Sequence, residues 1–159
     1  MSNVQAVDTA LIDSLLAEAQ SAPRLRKNLN FHDRAEHPCQ RLLNAIVPGS
    51  YVRPHRHVIE NKEEFMVIVR GCLGVILYDA NGAITGKMKL EEGGSLRAVS
   101  IPTGVYHTAV ALRPTVIFEA KGGPYAPHLP EELAPFAPAE GTPQASQYLQ
   151  QMEAVFADA

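Results

Sequence analysis

Gly49-Ser50-Tyr51-Val52-Arg53-Pro54-His55-Arg56-His57-Val58-Ile59-Glu60-Asn61-Lys62-Glu63-Glu64-Phe65-Met66-Val67-Ile68-Val69-Arg70-Gly71 is the stretch that decides how the chain is read. His55 and His57 stand two apart in a segment, residues 51–58, that reads as a β-strand, where alternate side chains emerge on one face. Both imidazoles then point the same way, about 6.5–7 Å apart along the chain, close enough to tilt onto one ion at about 2.0–2.1 Å from each nitrogen. Such a pair is a clip for a metal ion, and a third ligand is expected on the next strand. A turn over residues 58–62 reverses the chain, and Glu64 begins an apolar run, residues 65–69, that ends at Arg70-Gly71. The stretch reads as a metal site in a β-barrel and leaves the reaction open.

Strand periodicity continues on both sides of it. Upstream, residues 41–47 form a mixed apolar run closed by Pro48-Gly49, and residues 29–32 read as a short edge strand followed by a loop over 33–38. Downstream, runs at 73–79 and 84–90 flank Asn81-Gly82, a dipeptide that favours the positive backbone angles of tight hairpins. Ile84, Gly86, Met88 and Leu90 alternate with Thr85, Lys87 and Lys89, so one face is buried and the other wet. Turns at Gly93-Gly94, Pro102-Thr103-Gly104 and Arg113-Pro114 separate further strands at 96–101, 105–112 and 115–121. Eight short strands besides that edge segment, with no helix between them, predict an all-β domain with terminal helices, a double-sheet jelly roll or closed barrel.

The ends carry the helices. Asp8 is placed to cap a helix whose Leu11, Ile12, Leu15, Leu16 and Ala19 share one face, with Val7 and Ile12 as a hydrophobic staple and Pro23 as its stop. The proline-rich segment 122–143 reads as an extended strap over the barrel. Thr142 then caps a last helix with Pro143 at its first position and Tyr148, Leu149, Met152 and Val155 on its apolar side. The expected organisation is a helix and arm over 1–28, a barrel over 29–122, and a strap and helix over 123–159, all one domain.

At 159 residues, with 46% hydrophobic and 19% charged residues, the composition is that of an ordinary globular chain. A net charge of -3 argues against nucleic acid or an anionic membrane as partner, since both call for clustered positive charge. The N-terminus lacks the basic head and apolar core of a signal peptide, and no stretch is long and apolar enough to span a bilayer, so a cytoplasmic location is expected. Cys39 and Cys72 are expected to be free thiols, buried or half-buried. The amphipathic terminal helices and an edge strand offer surface for a second copy of the chain, so a homodimer is a candidate assembly.

The spacing Gly49, five residues, His55-Arg56-His57, then Glu64, six residues, Gly71 resembles the first motif of the cupin superfamily. Pro102-Thr103-Gly104-Val105-Tyr106-His107 resembles the second, Pro-x-Gly-x-x-His. That resemblance implies the cupin double-stranded β-helix and supplies the missing ligands: His55, His57, Glu64 and His107. The gap between His57 and Glu64 is longer than most cupins have, which leaves Glu60 and Glu63 as rivals, and Ala111 stands where the second motif usually ends in Asn. Glu64 is preferred for its offset from Gly71, whereas Glu63 would project from the opposite face of the strand. Over most of its length the chain is similar to WbuC-type cupin-fold metalloproteins found among bacterial surface-polysaccharide genes. The passages that carry this are Arg26-Lys27-Asn28-Leu29-Asn30, Gln40-Arg41-Leu42-Leu43-Asn44-Ala45, residues 48–57, residues 101–108 and Gly123-Pro124-Tyr125.

The implied cofactor is one divalent transition metal, Fe, Mn, Ni, Co or Zn, since mixed imidazole and carboxylate ligation suits each of them. Arg53 shares parity with the two histidines and is a candidate clamp for a substrate carboxylate or phosphate. Met66 and Ile68, in phase with Glu64, are expected to wall the cavity, and Tyr125 to close its mouth from the strap. His32, His37 and His128 lack a paired spacing and are expected at the surface, although His128 could reach the mouth. The partner expected is a small molecule. Two roles remain open: a metal-dependent enzyme on a small polar, sugar-like or keto-acid-like metabolite, or a non-catalytic metal-dependent binding or sensor protein.

Overall fold

The computed structural model describes residues 4–60 and 62–157. The expected turn over 58–62 passes through residue 61, which lies outside them, as do both ends of the expected domain limits. Among the described residues the strands are β1 (Arg26–Asn30), β2 (Cys39–Ile46), β3 (Glu64–Arg70), β4 (Cys72–Tyr78), β5 (Ile84–Glu91), β6 (Ala98–Ile101), β7 (Tyr106–Ala111) and β8 (Thr115–Gly122). They form two antiparallel sheets, one in the order β1-β2-β8-β3-β6 and the other in the order β5-β4-β7. Among the described residues no helix interrupts them, so the architecture is the jelly roll that the turn signals predict.

The central strands are buried on both faces, whereas much of β5 and the outer face of β3 at Phe65 stay exposed. Between the sheets, Ile46, Met66, Ile68 and Ile117 meet Leu73, Val75, Leu90 and Ala109. Helix α1 (Thr9–Ser21) covers the outside of the larger sheet, with Ile12, Leu15 and Ala19 against Leu43, Ala45 and Val116. Asp8 caps it through a 2.9 Å hydrogen bond donated by the Leu11 amide. Helix α2 (Pro143–Ala154) and the strap cover the smaller sheet, where Leu149, Met152 and Phe156 pack on Ile76, Tyr78 and Val110. This double cover explains why β4 and β7 are nearly continuous apolar runs rather than alternating ones.

Three expectations are corrected. Residues 51–58 are not a strand: only His55 is in a β-bridge, paired with His107 on one side and Leu133 on the other. Pro54 has no amide proton for a ladder and restricts Arg53, so pairing holds at a single residue. The first strand spans Arg26–Asn30 rather than 29–32, since Phe31 already leaves the ladder after its amide reaches the Arg41 carbonyl. Thr142 donates its hydroxyl to the Ala139 carbonyl instead of capping α2. Cys72 is buried and Cys39 exposed, both as free thiols.

Candidate metal centre

His55 is fixed by its backbone. Its amide donates to the His107 carbonyl at 3.0 Å and the His107 amide returns the bond at 2.8 Å, which sets the two side chains next to each other at one end of the barrel. The rings stand 4.6 Å apart between centroids, and the His57 ring lies 5.3 Å from His55 and 5.8 Å from His107. Glu64, the first residue of β3, completes the group from the facing sheet.

The ring nitrogens are sorted by hydrogen bonds. His55 Nδ1 lies 3.0 Å from the Arg53 carbonyl and His107 Nδ1 lies 2.9 Å from the Val105 carbonyl. A carbonyl only accepts, so each Nδ1 carries a proton and each Nε2 is left to face the cluster. Glu64 Oε2 is 3.2 Å from His57 Nε2 and 3.1 Å from His107 Nε2. Ligand atoms of His55, His57, Glu64 and His107 all lie within 4.8 Å of one another.

This donor set fits a divalent ion. Two atoms each about 2.1 Å from one ion at about a right angle stand roughly 3 Å apart, the spacing that Glu64 keeps with both imidazoles. Protonation also agrees. Burial pushes the His55 imidazole well below its ordinary range, so it is neutral and can donate a lone pair. Burial acts to raise the Glu64 carboxyl, but hydrogen bonds from His107 and His57 and the charge of Lys121 outweigh it and hold Glu64 well below the usual carboxylate range. His107 is raised: burial lowers it, and the hydrogen bond and charge of Glu64 more than offset that. Positive charge is thus favoured where these atoms meet, and a cation shared among them meets the same field.

A second set of charges lies around the first. Glu132 stands in a 3-10 turn of the strap, Pro130–Glu132, and is buried. Its carboxylate accepts from the amides of Leu129 at 2.8 Å and Val58 at 3.1 Å, and its Oε1 lies 3.9 Å from His57 Nδ1. Those amides pull its carboxyl below the usual range even though burial opposes them. Lys121 sits opposite Glu64 in the β3–β8 register, and its Nζ pairs with Glu119 Oε1 at 2.6 Å. Burial and the charge of Glu64 push the Glu119 carboxyl up to about 7 against the pull of Lys121.

The expected site residues fall into two groups. His55, His57, Glu64 and His107 come together, whereas the rivals Glu60 and Glu63 are exposed. Met66 lies in the core behind Glu64, and Tyr125, 60% exposed, lines the mouth from the strap. Arg53 turns elsewhere: its Nη2 donates to the Ala134 carbonyl, fastening the strap, and its Nε is buried without a partner among the described residues. The parity argument failed for it because the segment is not a strand. His128 reaches the mouth, its ring 4.5 Å from His55 and stacked at 5.5 Å on His57. Lys121, Glu119 and Glu132 were not singled out from sequence. Lys121 and Glu119 share inward parity on β8, which becomes informative once β8 is known to pair with β3; no periodic signal marks Glu132 in the strap.

Solved structures of similar architecture include a conserved protein of unknown function, SPY1581, from Streptococcus pyogenes. It is 10% identical, with 79% of this chain and 93% of that one covered and a TM-score of 0.53. Salicylate 1,2-dioxygenase from Pseudaminobacter salicylatoxidans is 14% identical over 74% of this chain at a TM-score of 0.56, and the chain spans only 34% of that enzyme. A cupin-superfamily protein from Desulfitobacterium hafniense is a weaker likeness, 11% identical, covering 61% of this chain and 76% of that one at a TM-score of 0.48. At such identities the likeness is one of fold, a double-sheet jelly roll. No curated protein is a significant sequence relative. A family model does match, over residues 7–90, and the chain belongs to the family described as Domain of unknown function (DUF6016).

Proposed function

We propose that the protein is a metal-dependent enzyme that holds one divalent transition ion through His55, His57, Glu64 and His107 and acts on a small polar, sugar-like or keto-acid-like molecule. The observation that carries this is the convergence of three imidazoles and one carboxylate, all within 4.8 Å, at an end of the barrel that opens onto a polar crevice. An ion held from one side keeps part of its coordination sphere for a ligand, where it polarises a carbonyl or hydroxyl or acidifies a bound water. The chain's own residues orient that ligand: Lys121 and Gln40 border the mouth from the sheet, and Tyr125 and His128 border it from the strap. Lys121 takes over the anchoring role that parity assigned to Arg53, whose fork is engaged by Ala134. We further place the protein with the WbuC-type metalloproteins of bacterial surface-polysaccharide synthesis, in the cytoplasm, with a homodimer as its candidate assembly; the sequence passages that match that group support this.

The test is a metal-replete preparation assayed against sugar nucleotides, sugar acids and oxo-acids, with His107→Ala alongside. Turnover in the wild type, lost with the metal in a folded His107→Ala variant, supports the reading. Neither turnover nor binding by a replete wild type would sink it. A metal-dependent binding or sensor protein is the second reading, favoured by the small free space at the mouth, about 70 Å³ under the His128 ring. Saturable binding of one of these compounds, recovered unchanged, selects it.

A further inference from the structure

A polar cavity beside the metal centre has no part in holding the ion. A crevice of about 450 Å³ opens on the inner face of the larger sheet, walled by Asn28 and Asn30 of β1, Gln40 of β2 and Lys121 of β8, with Tyr125 over it. Gln40, Lys121 and Tyr125 also wall the small space beside His57, so the two cavities adjoin.

We infer that this crevice binds a sugar acid: its carboxylate at Lys121 beside the metal centre, and its hydroxyls along the amides of Asn28, Asn30 and Gln40. This deepens the proposed function and rests on it.

The chemistry of the lining selects that class. Asn28 and Asn30 are exposed on the strand, share the inward face by their two-residue spacing, and make no side-chain hydrogen bond among the described residues. Each offers both a donor and an acceptor, which is what a hydroxyl requires. Gln40 is oriented in advance: its Nε2 donates to the carbonyls of Ala35 at 3.1 Å and His37 at 2.8 Å, which fixes the amide and turns its oxygen away from them. Polar groups make up somewhat more of the lining than apolar ones, and a wholly hydrophobic ligand would leave these amides unpaired at a cost.

Charge decides the rest. Lys121 and the buried Lys62 both border the mouth, and Lys62 makes no ion pair among the described residues. Asp33, the acidic residue at the rim, is paired with Arg34 at 3.1 Å. Lys121 gives one ammonium proton to Glu119 and keeps others for an entering carboxylate, and Lys62 adds a second positive charge against Glu132 at the mouth. A three-carbon oxo-acid would fill little of the space, whereas cavities of this size suit ligands of several more heavy atoms.

Calorimetric titration with glucuronate, galacturonate and gluconate, against neutral glucose and pyruvate, tests the inference on wild type, Asn30→Leu and Lys121→Met, with divalent-metal affinity measured separately on each. At least one sugar acid is expected to bind more than about tenfold tighter than glucose or pyruvate. Asn30→Leu should weaken it by about 3–10-fold and Lys121→Met by more than about tenfold, the losses expected for a neutral and a charged hydrogen bond. Metal affinity should be unchanged in Asn30→Leu, and should hold or rise in Lys121→Met, because a cation beside Glu64 is gone; a merely structural lesion would weaken both ligands. Binding of no sugar acid, or binding indifferent to Asn30→Leu, overturns the crevice assignment while a metal-replete centre still stands. Failure of the metal to bind overturns the proposed function alone, and the same sugar-acid titrations on metal-free protein then decide the crevice.

Discussion

Glu132 Oε1 lies 3.9 Å from His57 Nδ1, on the side of the ring opposite the Nε2 that faces Glu64. The imidazole is thus bracketed by two buried carboxylates, one from β3 and one from the strap. The separation is longer than a hydrogen bond, so Glu132 acts on the ring through its charge; outer carboxylates that support a ligating histidine typically matter about 10–100-fold to metal affinity.

Glu132→Gln is therefore expected to weaken divalent-metal binding by about 10–100-fold in a protein that still folds. The amide keeps one acceptor oxygen for either the Leu129 or the Val58 amide and turns its NH2 to the other, so the strap loses one hydrogen bond and the melt should fall modestly. Metal titration beside a thermal melt checks this; an unchanged metal affinity would show that Glu132 serves the strap only.

Gly71 links β3 to β4 with φ +88°, and a Cβ there would stand 2.2 Å from the Pro114 carbonyl oxygen. Both the backbone conformation and the space exclude a side chain. Gly71→Ala should destabilise the fold by more than about 2 kcal/mol, read as a fall in the urea midpoint at constant m-value. A loss under about 0.5 kcal/mol would mean that the turn relaxes freely.

The strap is tied to the start of the barrel by Glu140, which pairs with Arg24 and Arg26. Burial acts to raise its carboxyl, but the hydrogen bond of Arg24 and the charges of Arg26 and Arg24 hold it below the usual range. A depressed folded-state pKa gives stability that is present above the unfolded glutamate value, about 4.3, and is lost as pH falls through the folded value. Glu140→Gln should thus lower stability at pH 7 by no more than about 1 kcal/mol, since the pair is partly exposed, and the difference from wild type should shrink below about pH 4. A difference that grows on acidification would contradict the assignment.

Much of this architecture is written locally. Asn81-Gly82, Gly93-Gly94 and Pro102-Thr103-Gly104 punctuate the strands wherever the backbone needs turn chemistry, so most strands could be read without knowing which of them pair, the segment 51–58 being the exception. His55, His57, Glu64 and His107 could be grouped because their offsets follow a known motif. The spacing argument nevertheless relied on a strand that Pro54 prevents; the histidines converge because His55 alone is pinned between β7 and the strap. Lys121 became visible only through its register opposite Glu64, which depends on the sheet order. Glu132 and His128 lie in a segment with no periodicity at all, and long-range packing brings them to the site.

The central claim is that four side chains from three parts of the chain share one ion. Equilibrium metal titration of chelator-stripped protein, with His55→Ala, His57→Ala, Glu64→Ala and His107→Ala beside Glu60→Ala and Glu63→Ala, tests it most directly. One divalent ion per chain is expected, weakened more than about 100-fold by each of the first four changes and left unaltered by the last two. Wild-type affinity in His107→Ala, or no ion bound at all, would contradict the account.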